Sequence, residues 1–84
     1  MIYTQTFTYE NATNRTLRLI IEPQAAHYLI KTGDRVDIIA RGGDIGSNFL
    51  IEQTTNGVTI YVWAEAMVTV SSDNKTIFPS DQFD

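Results

Sequence analysis

A histidine and a glutamate five residues apart are the first feature of the sequence that could do chemistry. His27 is the single histidine of the chain, and Glu22 precedes it across Pro23. A carboxylate and an imidazole form a general acid–base pair when they lie within hydrogen-bond distance and a third group orients them. Across a proline the two side chains meet only if the chain folds back on itself. We therefore expect a surface histidine at the start of a strand, and no catalytic pair.

The sequence lacks the residues or the spacing that other common catalytic and metal-binding sites need. The chain contains no cysteine, which excludes thiolate catalysis, disulfides and cysteine-ligated zinc. Asp34, Asp37 and Asp44 do not have the spacing of a calcium-binding loop. The glycines of residues 41–48, RGGDIGSN, precede neither a lysine nor a helix and so do not match a phosphate-binding loop. We expect no enzyme activity, no metal ion and no cofactor, and we interpret residues 41–48 as a flexible connection.

Charge and hydropathy narrow the classes of partner. Ten acidic residues outnumber six Lys and Arg, the net charge is −4, and the basic residues are scattered along the chain. Nucleic-acid binding relies on clustered positive charge, so we expect neither a nucleic acid nor an anionic membrane surface as a partner. No apolar run approaches the roughly 20 residues that a membrane-spanning helix needs. The first residues lack the pattern of a signal peptide, and we therefore expect a cytoplasmic protein.

Alternation of apolar and polar residues predicts that the chain is all-β. Many short strands with frequent turns are typical of an antiparallel β-sandwich or a compact barrel. We predict a single domain over residues 1–84, with about seven or eight short strands and a flexible tail at residues 79–84. The predicted strands are residues 3–9, 16–22, 27–31, 35–40, 49–53, 58–64, 67–71 and 76–78.

Turn residues separate these strands. Glu22-Pro23 ends the second strand, because proline cannot donate a ladder hydrogen bond. Gly33-Asp34 reverses the chain after the third strand. Asn56-Gly57 predicts a hairpin with a type I′ turn, which needs positive φ at both central residues. Asp73-Asn74 marks the last turn.

Three Asn-x-Thr triplets begin at Asn11, Asn14 and Asn74. Such triplets can accept glycans in secreted proteins. Short polar side chains also form local hydrogen bonds with the backbone in turns. Without a signal peptide, we interpret the three triplets as turns.

From Leu17 onward, the order of these features resembles a group of small bacterial proteins of unknown function. The shared features are an apolar strand ending in Glu-Pro, an aromatic residue, a Gly-Asp turn, a Phe with Ile-Glu, a Gly-Val-Thr-Ile-Tyr-Val-Trp strand and a final Val-Thr-Val strand. Tryptophan typically follows Glu-Pro in that group, whereas this chain has Gln24-Ala25. The resemblance implies a compact β-domain and carries no known activity. The residues concerned are 17–23, Tyr28, 32–38, 49–52, 57–63 and 68–70.

The strand at residues 58–64 raises the question of function. Its aliphatic residues alternate with Tyr61 and Trp63, so two large aromatic side chains lie opposite the apolar face. Ile20 and Ile39 likewise lie opposite the apolar faces of their own strands. A sheet with one face in water usually carries polar residues on that face. The second face is therefore either covered by another part of the chain or available to a partner.

Two classes of function follow from this second face. The first is a non-enzymatic interaction module that self-associates or binds a protein partner, through Tyr61 and Trp63 or through an open strand edge. Tyrosine and tryptophan favour association because they bury a large area with few rotatable bonds. The second is a small-ligand or carbohydrate-binding domain. In it, Trp63, Tyr61 and Tyr28 form an aromatic platform, and Asp44 or Asn48 donates or accepts hydrogen bonds.

Overall fold

The computed structural model describes residues 2–79, which form two four-stranded β-sheets. The predicted all-β class with eight strands is confirmed, and each predicted strand overlaps one observed strand. Within residues 2–79 no helix could span a membrane. The strands are β1 (Thr4–Glu10), β2 (Leu17–Glu22), β3 (Ala26–Ile30), β4 (Arg35–Arg41), β5 (Leu50–Thr54), β6 (Gly57–Tyr61), β7 (Met67–Ser72) and β8 (Lys75–Ile77).

The two sheets pack face to face as a β-sandwich. Sheet A has the strand order β1-β4-β7-β8, and sheet B has the order β3-β2-β6-β5. Neighbouring strands are antiparallel, except for β2 and β6, which are parallel. The chain passes through β3, β4 and β5 between these two strands, and a connection of this length permits parallel pairing. The predicted antiparallel sandwich thus contains one parallel pair.

The hydrophobic core lies between the sheets and is formed by alternate residues of the strands. On β2, β4 and β6 the inward residues are those that the apolar periodicity predicts. Full burial of one such aliphatic side chain contributes about 1.5–3 kcal/mol. The buried apolar residues are Leu17, Leu19, Ile21, Tyr28, Ile30, Val36, Ile38, Ala40, Val58, Ile60, Val62 and Val70.

Two of the predicted hairpins turn in different ways. Asp73 and Asn74 have φ values of 51° and 64°, so the loop between β7 and β8 is a type I′ turn. The β5–β6 hairpin is also present, but its two loop residues are Thr55 and Asn56. Neither is among the positive-φ residues of the described chain, so the predicted type I′ turn at Asn56-Gly57 is wrong. Gly57 is instead the first residue of β6, where its backbone packs closely against β2.

The triplet that begins at Asn11 forms a turn, as its composition predicts. The side-chain Oδ1 of Asn11 accepts hydrogen bonds from the backbone N–H of Thr13 at 2.9 Å and from the Thr13 hydroxyl at 2.6 Å. Asn11 itself is fully buried. Its side chain therefore holds the connection between β1 and β2.

Each side of the sandwich is bordered by a pair of edge strands, one from each sheet. Phe7 of β1 packs against Phe49, which precedes β5, with ring centroids 6.0 Å apart. On the opposite side, Tyr28 of β3 and Ile77 of β8 line the same cleft. In the strand order of sheet B, β5 and β3 are the two edge strands. The predicted tail begins at exposed Pro79, and its remaining residues lie outside the described part of the chain.

Candidate functional site

The four residues predicted to form an interaction face lie in three separate places. Ile20 and Tyr61 share the outer face of sheet B, on the neighbouring strands β2 and β6. Ile39 is on the outer face of sheet A, which is the other side of the sandwich. Trp63 follows the end of β6. The structure therefore brings together Ile20 and Tyr61, and it separates both from Ile39 and Trp63.

Trp63 packs into the side of the sandwich between β1 and β5. Its indole N–H donates a 2.8 Å hydrogen bond to the carbonyl oxygen of Gly42. Its ring centroid lies 5.3 Å from that of Phe49 and 5.8 Å from that of Tyr3. A Cβ on Gly43 would lie 2.6 Å from the indole, so a glycine is needed where the loop crosses the ring. Trp63 is thus part of the packing that closes this side.

The residues predicted to form an aromatic platform do not share one surface. Tyr28 pairs with Leu19 and faces the core at 8% exposure, whereas Tyr61 lies on the outer face of the same sheet. Trp63 packs into the side of the sandwich, against Tyr3 and Phe49. The side-chain Oδ1 of Asn48 accepts a 3.0 Å hydrogen bond from Gln5.

Glu22 and His27 lie at the corner between β2 and β3. The Glu22 carboxylate accepts a 3.0 Å hydrogen bond from the backbone N–H of Ala25, and the Glu22-Pro23 peptide bond is cis. His27 pairs with Ile20, so its side chain is on the outer face of sheet B. The carboxylate of Glu22 therefore stabilises the corner. Within the described residues, no three His, Asp or Glu side chains are grouped so as to hold a metal ion.

Strand β5 is the exposed feature that the sequence does not single out. All five of its residues are exposed, although a strand of this composition is usually half-buried. Leu50 is 65% exposed and Ile51 is 41% exposed. Because β5 is the last strand of sheet B, one of its edges has no neighbouring strand among residues 2–79. An apolar edge of this kind presents unpaired backbone groups to other chains.

Hydrogen bonds between β2 and β6 define the orientation of the β6 backbone. The N–H of Val62 donates to the carbonyl oxygen of Glu22 at 2.8 Å, and the carbonyl oxygen of Asn56 accepts from the N–H of Arg18 at 2.8 Å. Asn56 and Val62, which flank β6 and are both even-numbered, therefore direct these backbone groups towards β2. Backbone groups alternate in direction along a strand, so the odd-numbered residues of β6 face β5.

The orientation of β6 determines which backbone groups of β5 are open. Thr59 lies opposite Glu52, and because Thr59 is odd-numbered, this pair is hydrogen-bonded. Ile51 and Gln53 are the alternate residues of β5. Their N–H and C=O groups therefore point away from β6, towards the open edge.

Side chains on both faces border this open edge. Leu50 lies opposite Tyr61, and the Tyr61 hydroxyl donates a 2.9 Å hydrogen bond to the Glu52 carboxylate. This hydrogen bond raises the pKa of the Tyr61 phenol above its ordinary value. Ile51 is on the inner face of the strand. We refer to residues 50–54 together with Tyr61 as the β5 edge surface.

A cleft of about 370 Å³ opens on the other side of the sandwich, between β3 and β8. Three core residues line it: Ile21 and Val70, each 1% exposed, and Tyr28, 8% exposed. Phe78 also lines the cleft and is 80% exposed. Burial raises the pKa of the Tyr28 phenol in the same cleft. The cleft is therefore mainly apolar and contains one phenol group.

Comparison of the chain with protein-family models, with curated protein sequences and with solved structures finds no match. The resemblance to small bacterial β-proteins therefore stays an expectation from the sequence.

Proposed function

We propose that this protein is a non-enzymatic interaction module that binds a protein partner through the β5 edge surface. The observation that carries the proposal is an edge strand whose five residues are all exposed. Strand addition to such an edge uses main-chain hydrogen bonds for affinity and alternate side chains for specificity. Soluble proteins usually protect an apolar sheet edge with charge, proline, a bulge or a covering segment. Within residues 2–79, β5 has no proline and no covering strand. Its single charge, Glu52, accepts a hydrogen bond from Tyr61 at 2.9 Å, and Leu50 and Ile51 remain exposed beside it. This combination favours a function in binding.

Tyr61 gives this edge a rigid aromatic contact. It is 38% exposed, and its hydroxyl is held by Glu52 at 2.9 Å. Leu50 lies opposite it on the same outer face. A tyrosine that is already held in place loses little conformational freedom on binding, and tyrosine is enriched at the centres of interfaces. We infer that Tyr61 and Leu50 contact the partner beside the added strand.

Position-specific photo-crosslinking tests the proposal. A benzophenone amino acid at Leu50 should give a discrete crosslinked product in the cells that produce the protein. The same amino acid at Ile45, which is 88% exposed in the β4–β5 loop, is the matched control and should give none. A second substitution, Ile51→Pro, should abolish the Leu50 product, because it blocks the open edge without removing a bond to β6.

The circular dichroism spectrum must stay unchanged in the Ile51→Pro variant for this comparison to be valid. Equal crosslinking from Leu50 and Ile45 would contradict the proposal. A Leu50 product that persists in folded Ile51→Pro protein would also contradict it.

We propose binding of a small apolar ligand as a second candidate function, located in the cleft between β3 and β8. The cleft volume of about 370 Å³ lies within the usual range for ligand pockets, about 300–1,000 Å³. The dye 8-anilinonaphthalene-1-sulfonate should fluoresce in this cleft. Ala26→Trp, which places a ring in the cleft, should abolish the signal, and Leu50→Ala on the opposite side should preserve it. Equal fluorescence of the wild type and Ala26→Trp would exclude this site.

A further inference from the structure

We propose that the partner of the β5 edge surface is a second copy of this chain, whose β5 pairs antiparallel with the first. The twofold axis lies midway between the two copies of Ile51, so that Ile51 is opposite its own copy; we call this an axis at Ile51. This inference rests on the proposed function and names its partner. A twofold axis pairs identical surfaces and closes the assembly at two copies. Sheet B of one copy, with four strands, would continue directly into sheet B of the other.

The open backbone groups restrict where the axis can lie. Ile51 and Gln53 direct their N–H and C=O groups outward, and Glu52 between them does not. In an antiparallel pair, outward groups must lie opposite outward groups. An axis between two residues would place odd-numbered residues opposite even-numbered ones, which fails this condition. The axis must therefore place one residue of β5 directly opposite its own copy.

Unfavourable side-chain and loop contacts exclude two positions of the axis, those at Glu52 and Gln53. An axis at Glu52 would place the two Glu52 carboxylates directly opposite, with Cβ atoms about 4.5–5.5 Å apart, where like charges repel. An axis at Gln53 would set Ile51 opposite the loop residue Thr55. It would also leave Leu50 outside the paired region.

The choice between Leu50 and Ile51 depends on Asn48. An axis at Leu50 would place Glu52 opposite Asn48, which precedes β5 and whose side chain accepts a hydrogen bond from Gln5 at 3.0 Å. An axis at Ile51 keeps the pairing within residues 49–53. It brings the two Ile51 side chains opposite each other and separates the two Glu52 residues to a diagonal of about 7–8 Å. The structure therefore favours Ile51.

The net charge predicts how salt should change the strength of self-association. Each copy carries a net charge of −4, so the two copies repel each other. Salt screens this repulsion over a Debye length of about 10 Å at 0.1 M ionic strength. We therefore expect the dimer to become stronger as sodium chloride is added. An interface held by salt bridges between unlike charges would become weaker.

A single-cysteine scan measures the position of the axis, because the natural chain has no cysteine. One cysteine forms a symmetric disulfide only when the same residue of the other copy lies opposite. We expect Ile51→Cys to give the largest dimer fraction on non-reducing gels, since directly opposite residues have Cβ atoms about 4.5–5.5 Å apart, whereas the two copies of residue 50 or of residue 52 would lie on diagonals of about 7–8 Å. Leu50→Cys, Glu52→Cys and Gln53→Cys should give less. Ile45→Cys, in an exposed loop, measures the background.

Sedimentation equilibrium of the cysteine-free protein completes the test. The wild type should show a monomer–dimer equilibrium, and Ile51→Pro should raise the dissociation constant at least about tenfold with an unchanged circular dichroism spectrum. A strict monomer at millimolar concentration would overturn self-pairing. In that case the proposed function survives only if the Leu50 photo-crosslink captures a different protein and is lost in Ile51→Pro. A largest dimer fraction at Leu50, Glu52 or Gln53 would overturn the axis at Ile51.

Discussion

Gly57 of β6 lies so close to Arg18 of β2 that a Cβ on the glycine would be 1.9 Å from the carbonyl oxygen of Arg18. The two residues are opposite each other in the parallel strand pair. The N–H of Arg18 donates a 2.8 Å hydrogen bond to the neighbouring carbonyl oxygen of Asn56. This contact is part of the β2–β6 pairing, which joins the β3–β2 half of sheet B to the β6–β5 half. The edge position of β5 therefore depends on this pairing.

Gly57→Ala should therefore be among the most destabilising single substitutions in the chain. The atoms in conflict belong to the backbone and cannot rotate away, so we expect a loss of about 3 kcal/mol or more, the upper end of overpacking effects. Gly33→Ala is the matched control, because Gly33 has φ +85° but, apart from its chain neighbours, no residue in the described part of the chain lies within 4 Å of its Cβ position. In Gly33→Ala, the left-handed backbone conformation alone should lower the free energy of unfolding by about 1–2 kcal/mol. Urea unfolding measures both variants, and equal losses would contradict this explanation.

Gly43→Ala should displace the indole of Trp63 and shift its fluorescence to longer wavelength. The added Cβ would lie 2.6 Å from both Cδ1 and Nε1 of the indole. Gly46→Ala is the control, because Gly46 also has positive φ, +98°, but nothing within 4 Å. Its emission spectrum should match the wild type. A similar shift in both variants would show that backbone strain, and not contact with the ring, positions Trp63.

Asn11→Asp should make stability depend on pH in the acid range. The buried side-chain Nδ2 of Asn11 donates to the carbonyl oxygens of Arg15 and Ile30, each at 2.8 Å. A carboxylate there would keep the two hydrogen bonds from Thr13 at one oxygen, but its other oxygen would face two carbonyl acceptors in a fully buried site. We expect the burial and the two acceptors to outweigh the two donors, so its folded-state pKa should exceed the unfolded value of about 3.9. The variant should be least stable near neutral pH and should gain stability as the pH falls towards about 4. Urea midpoints measure this, and Asn11→Ala, which carries no titratable group, should not show the same gain.

Three tyrosines should make the protein less stable in alkali. Burial raises the pKa of Tyr9 and of Tyr28, and the hydrogen bond to Glu52 raises that of Tyr61. The folded pKa values exceed the unfolded value of about 10, so the folded state retains these protons longer. Their contribution to stability is complete below about pH 10 and is lost as the pH rises through the folded values.

Urea midpoints between about pH 9 and 12 test this prediction. The midpoint should fall with rising pH, and Tyr28→Phe should make the fall shallower. Glu52→Gln should do the same, because it removes the carboxylate that keeps Tyr61 protonated. Slopes equal to that of the wild type in both variants would contradict the assignment.

Ile51→Pro and Glu52→Pro should differ in stability although they are neighbours. The N–H of Glu52 bonds to β6, and its loss leaves an acceptor on Thr59 unsatisfied, which costs about 1–3 kcal/mol. The N–H of Ile51 points to the open edge, where proline is tolerated. Glu52→Pro should therefore be less stable than Ile51→Pro by about that amount in urea unfolding. The reverse order would show that β5 is oriented the other way and that the open groups of the β5 edge surface are assigned wrongly.

Strand positions could be predicted because a strand places alternate residues on opposite faces. Leu19, Ile38 and Ile60 have 0% exposure, and each belongs to a predicted inward face. The predicted strand bounds differ from the observed ones by at most one residue, except that β6 ends at Tyr61 and not at residue 64. The alternation therefore predicted that the side chains of Trp63 and Tyr61 lie on the same face of one strand. The hydrogen bond to Gly42, a residue distant in the chain, holds the indole elsewhere.

The candidate site could not be predicted, because it depends on the order of the strands. Residues 49–53 read as a strand with an apolar start, like several others in the chain. Their exposure accompanies the position of β5 as the last strand of sheet B. The other edge strand, β3, buries Tyr28 and Ile30, so packing against sheet A also decides how exposed an edge strand is. The parallel pairing of β2 with β6 produces the edge position of β5. Local residue patterns carry no information about which distant strands become neighbours.

The sequence by itself determined the eight strands and the faces that they bury, because strand periodicity and turn chemistry act over a few residues. Only the tertiary structure decided which strands pair and which strand remains at an edge. Those choices depend on close contacts between distant residues, such as Gly57 with Arg18. They also decide that Leu50 and Ile51 stay exposed, although each has the composition of a core residue.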